Sequence, residues 1–138
     1  MSKKIILIII LTFNFCSYSQ TLKKVDELED KYQACLDSGN EIKNCSLNFY
    51  TTSDSLLNVA YKNLRIKLNA TEQNDLKIEQ QKWLKKRDAY FKKAFVEAKD
   101  ENSGDTETSD FTMFYFHKKI MFVTERVREL ILKRNKIK

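Results

Sequence analysis

The 138-residue chain carries 25 Lys and Arg against 19 Asp and Glu, a formal net charge of +6, with one histidine, three cysteines, two glycines and no proline. One histidine and three cysteines are a poor set for a zinc centre, which takes about four ligands, so no metal and no cofactor is expected. A surplus this small is no nucleic-acid signature, and a chain so short of turn residues should run in long helices.

The chain begins like a secretory leader. Lys3 and Lys4 form a basic start, Ile5 to Phe13 is an apolar run, and Ser17 and Ser19 place small residues three and one before a cut. The reading is a signal peptide over residues 1–19 and one domain over residues 20–138. The apolar run falls short of the ~20 residues a membrane span needs. No other segment comes close, so no transmembrane span is expected. Asn14 and Phe15 stand where lipid attachment at Cys16 would want small residues, and the cut removes Cys16 in any case. The expected location is therefore the periplasm or the medium, not a lipid anchor. The mature chain loses two lysines and keeps a net +4.

The same cut leaves one even pair, Cys35 and Cys45. In an oxidising compartment that pair reads as a disulfide, worth roughly 3 kcal/mol on the chain-entropy model.

Hydrophobic periodicity gives four helices, taken in chain order. The first carries Leu22, Val25, Leu28, Tyr32 and Cys35 and stops in Asp37-Ser38-Gly39-Asn40. The second has a stripe of Leu47, Tyr50, Asp54, Leu57, Tyr61, Leu64 and Leu68. The third follows a turn near residues 69–71, with Thr71 as the expected N-cap. Its stripe is Leu76, Gln80, Trp83, Leu84, Arg87, Phe91, Ala94 and Phe95. Residues 100–110 read as a mobile acidic loop holding Asp100, Glu101, Asp105, Glu107 and Asp110. The fourth helix begins near Asp110 and carries Phe116, Ile120, Val123, Val127 and Leu130, ending in a basic tail. The fold expected is all-α: a small four-helix bundle-like domain whose N-terminal helical hairpin is stapled by Cys35–Cys45.

Polar residues interrupt two stripes: Asp54 in the second helix, Gln80 and Arg87 in the third. A buried charge needs a partner, and the economical arrangement pairs Asp54 with Arg87, with Gln80 or Tyr61 filling the remaining hydrogen bonds. The catalytic alternative couples Asp54 with Asp88, but nothing in sequence separates their protonation states. His117 has no nucleophile spaced around it. No enzyme activity is expected.

These residues also carry a family resemblance. Asp54, Leu57, Asn58, Tyr61 and Leu64 fall in a "D-x-x-L-N-x-x-Y-x-x-L" pattern, and Gln80, Trp83, Leu84, Arg87, Asp88 and Ala89 in "Q-x-x-W-L-x-x-R-D-A". Both resemble the helices of the LprI-like lysozyme inhibitor domain. Arg126, Glu129 and Leu130 resemble its weaker "R-x-x-E-L". The resemblance spans about Tyr32 to Leu130. It implies an exported bacterial helical protein, with some members inhibiting lysozyme. The family commonly has a cysteine after "R-D-A" bonded to a later one. Tyr90 and Phe91 stand there, so the fourth helix must be held by packing alone.

An inhibitor of this kind works by occlusion and needs no catalytic residues. Lysozymes are commonly basic, so the acidic residues 100–110 are the complementary surface, although the chain's net +4 opposes it. The alternative partner is another envelope protein, met by the surplus aromatics Phe114, Tyr115, Phe116, Met121 and Phe122. Membrane-surface binding through Lys85, Lys86, Lys92, Lys93 and the tail is a third reading, against a plain solvated face.

Overall fold

The computed structural model describes residues 22–39 and 41–137. The leader, its cut and Cys16 lie outside the described residues. Four helices make up the fold: α1 Leu22–Asp37, α2 Ile42–Arg65, α3 Ala70–Glu101 and α4 Ser109–Asn135. The all-α expectation holds, and so does the staple: Cys35 and Cys45 are disulfide-bonded with Cα atoms 6.0 Å apart. None of the described helices is long and apolar enough to cross a membrane.

The helix ends follow from local chemistry. At the end of α1 the Gly39 N–H donates to the Leu36 carbonyl at 3.0 Å, with Gly39 at φ +68°, a conformation that suits glycine. The N-cap of α3 is Asn69, not the expected Thr71. The Glu72 N–H donates to Asn69 Oδ1 at 3.0 Å, and the Asn69 N–H donates to Glu72 Oε2 at 2.9 Å. This reciprocal box satisfies two orphan donors, which Thr71 could not do with Asn74 three residues on. Helix α3 then runs through Asp100 and Glu101 and α4 opens at Ser109, so three of the five acidic residues stand in helix ends and residues 102–108 lie between the helices. That short turn is tied down. Gly104 returns its N–H to the Lys99 carbonyl at 2.8 Å, and Thr108 Oγ1 caps α4 by accepting from the Phe111 N–H at 3.0 Å.

Helices α1 and α3 run one way, α2 and α4 the other. The α1–α2 and α3–α4 turns therefore share one end, where Lys43 Nζ donates to the Glu107 carbonyl. Helix α4 touches all three others, and its most extensive contact is with α2. Its Val123, Val127, Leu130 and Ile131 meet Val25 of α1, Leu57, Ala60 and Leu64 of α2, and Leu76 of α3. Each of these Val, Leu and Ile side chains contributes about 1.5–3 kcal/mol of apolar burial. Arg128 ties α1 to α4, donating to Asp26 at 2.6 Å and Glu29 at 2.7 Å.

The buried face of α2 is rotated from the expected stripe. Ser46, Ser53 and Ala60, seven residues apart, are fully enclosed, while Leu47 is 44% exposed. Small side chains let the neighbouring helices approach closely, so the face with the tightest packing is not the face with the largest residues. Phe95, expected inside α3, is 40% exposed for a related reason: α3 is covered on one side only, chiefly by α4.

Candidate partner-binding surface

Among the described residues the charged side chain that the fold buries is Arg126, 4% exposed. Its Nε and Nη2 donate to Gln80 Oε1 at 3.1 and 3.0 Å, and its Nη1 donates to Glu79 at 2.8 Å and Glu129 at 2.7 Å. The guanidinium carbon lies 5.9 Å from the Trp83 ring centre. Burial acts to raise the Glu79 carboxyl, but hydrogen bonds from Lys133 and Arg126 outweigh it and hold the group below its usual value. The "Q-x-x-W" and "R-x-x-E" patterns thus meet as one polar joint between α3 and α4.

The expected pair between Asp54 and Arg87 is not formed. Arg87 donates instead to its neighbour Asp88, from Nε at 2.9 Å and Nη2 at 2.7 Å, and lies over Trp83 and Phe91. The half-buried Asp54 and Arg87 both act on a third group, Lys119, in opposite directions. The Lys119 ammonium sits among Tyr50 at 3.8 Å, Phe116 at 4.5 Å, Phe91 at 4.9 Å and Tyr115 at 5.0 Å. Burial lowers its pKa, Arg87 adds to that, and Asp54 opposes it. The four rings favour the charged form. Sequence reasoning found two of the charges around this cage and missed the cation inside it.

The other motif residues have structural positions. Leu57 is in the core, Tyr61 packs against it, and Asn58 is exposed on the far side of α2. Gln80 and Trp83 belong to the Arg126 joint. The aromatic surplus of α4 is largely consumed by other rings: Phe122 stacks on Tyr90 at 4.5 Å and on Trp83 at 5.6 Å, and Tyr115 packs edge-on to Phe95 at 5.6 Å. Phe114 faces Lys118, and Met121 is 45% exposed. His117 is an exposed ring stacked on Tyr32. Among the described residues no three His, Cys, Asp or Glu side chains converge as a metal site.

The five acidic residues expected to meet a partner are all exposed, and the fold adds two more to them. Asp100 and Glu101 end α3, Asp105 and Glu107 lie in the turn, and Asp110 is in the first turn of α4. Asp105 accepts from the Glu107 N–H at 2.8 Å, which stiffens the turn. Asp37 and Glu41 come alongside from the α1–α2 turn, which the disulfide holds. Seven exposed carboxylates thus share one end with Lys43 and Lys99. Only the tertiary arrangement of two distant turns reveals the last two.

The molecule is therefore a disulfide-stapled helical scaffold with its polar joint inside and a charged surface at its end. Over residues 30–130 it matches the family described as Lysozyme inhibitor LprI, and the chain belongs to that family. No curated protein and no solved structure matches it at a significant level.

Proposed function

We propose that the protein is exported and inhibits a lysozyme by covering its cleft, with the acidic end as the contact. Membership of the lysozyme inhibitor family carries the reading. A rigid acidic end is suited to a basic enzyme, because complementary charge steers encounter and fixes orientation. No catalytic residue is required of such a protein.

The net positive charge of the chain does not oppose this contact. Its surplus is remote from the acidic end. Along α3, Lys86 lies roughly 21 Å from Asp100, and along α4 Lys133 lies roughly 35 Å from Asp110, at 1.5 Å per residue. Both distances exceed the Debye length of about 8 Å at physiological salt. An approaching enzyme meets the field of the nearer end.

The test is a lysozyme assay on cell wall with purified 20–138 at low and high salt. Inhibition at micromolar protein that weakens with salt supports the reading. Absence of inhibition at that concentration refutes it for the lysozyme used.

A further inference from the structure

Toward the other end, α3 and α4 border an open groove of about 580 Å³. Five cationic side chains line it: Lys82 and Lys86 from α3, Arg126 and Lys133 from α4, and Lys136 at the C-cap of α4. Only two carboxylates face them, Glu79 and Glu129, and both are already engaged. Glu79 accepts from Arg126 and Lys133, and Glu129 from Arg126. Lys82, Lys86 and Lys136 have no ion pair among the described residues and are exposed. The floor between the two banks is apolar, formed by Trp83 and by Leu132, which is 46% exposed.

We propose that this groove binds an acidic polysaccharide, a chain of sugar rings carrying carboxylates or phosphates. Three features select that class. The uncompensated charge is positive and sits on both banks, so the ligand is an anion that spans the groove. Lys82 and Lys86 are four residues apart on one helix face, about 6 Å between Cβ atoms, which suits charges repeated along a chain better than one small ion. Leu132, together with the part of Trp83 left open beside Phe122, offers apolar surface to the C–H face of a sugar ring. The surface is concave, which a flat bilayer cannot follow. Arg126 contributes from beneath: by occupying Glu79 and Glu129 it keeps both carboxylates from neutralising the lysines above. The groove is separate from the acidic end, so the proposal stands apart from the lysozyme reading.

The chain has a single tryptophan, and it lies in this groove, so its emission reports the site. The experiment titrates the protein with polygalacturonate, with uncharged dextran and with vesicles of anionic phospholipid. Tryptophan emission and calorimetry are read in parallel, for the native chain and for Lys82→Gln/Lys86→Gln. Both lysines are exposed and unpaired, and matching melting curves verify that the variant is folded. The expected result is saturable binding to polygalacturonate that is screened by salt, weakened about tenfold or more in the variant, with no response to dextran. Absence of polygalacturonate binding by both readouts overturns the proposal. Equal affinity in the variant, or tighter binding to the vesicles, does so too.

Discussion

The two ends of the molecule are held by different means and carry opposite charge. At the acidic end, two short turns are fixed by a disulfide, a threonine cap and the Lys43–Glu107 bond, and nearly every charge faces solvent. At the basic end, the helices are joined through a buried guanidinium with three side-chain partners, and the lysines lie over that joint. At the acidic end the fold adds a covalent closure and local caps to its packing. At the basic end it joins α3 to α4 through a polar contact. The difference explains how one small chain with a net +6 presents a strongly acidic surface: the formal charge averages two regions that lie several screening lengths apart.

The sharpest way to break the comparison is to remove the joint. Arg126→Ala removes the buried guanidinium from Gln80 and Glu129, leaves Glu79 only Lys133, and should lower stability by about 3 kcal/mol through lost charged hydrogen bonds and packing, read by chemical denaturation. Arg126→Met keeps the volume and should cost less. A loss under about 1 kcal/mol for the alanine variant would mean that the joint does not hold α3 to α4. Next comes the staple. Cys35→Ser/Cys45→Ser should lower stability by roughly 3 kcal/mol. Hydrogen exchange should quicken first in the α1–α2 hairpin, while α4 amides near Val127 stay protected. Uniform quickening would show that the disulfide is not a local device.

The caps come third. Thr108→Ala removes the acceptor for the Phe111 N–H and should cost about 1 kcal/mol, with the loss confined to the acidic turn. The smallest effect is in pH. The Glu79 carboxyl is held below 4.5 in the folded state, so its contribution is complete above that value and is lost as pH falls through the folded pKa. Acid titration of stability should therefore be flatter in Arg126→Met than in the native chain. Parallel acid curves would place the depression elsewhere.

Much of this fold was legible in sequence because it rests on periodicity and on cysteine arithmetic. The four helices, the loop that closes α1 and the Cys35–Cys45 bond needed nothing more. Errors arose where a tertiary neighbour decided the outcome. Asp54 and Arg87 stood out because they interrupt apolar stripes, yet they act on Lys119, whose cage is built from α2, α3 and α4 together. Arg126 stood out only through the "R-x-x-E-L" resemblance, and its inward position was missed because it lies in a charged run. A signal was present, since its spacing from Val123 and Leu130 puts it on the inward face of α4, with Glu129 one turn on. The rotation of α2 was hidden because Ser46, Ser53 and Ala60 carry little hydrophobic signal, although their smallness is what the packing uses. The acidic stretch was found in sequence. Its extension by Asp37 and Glu41 depends on which ends the helices share.

The location of the inhibitory surface is tested most directly by comparing two variants that lose the same amount of negative charge in different places. Glu101→Gln/Glu107→Gln removes two exposed carboxylates at the acidic end, and Asp30→Asn/Asp75→Asn removes two on α1 and α3. In lysozyme inhibition at low salt, the first should weaken inhibition about tenfold, chiefly through slower association, and the second should match the native chain. Equal inhibition by both variants, or loss in the second alone, would contradict the assignment of the acidic end.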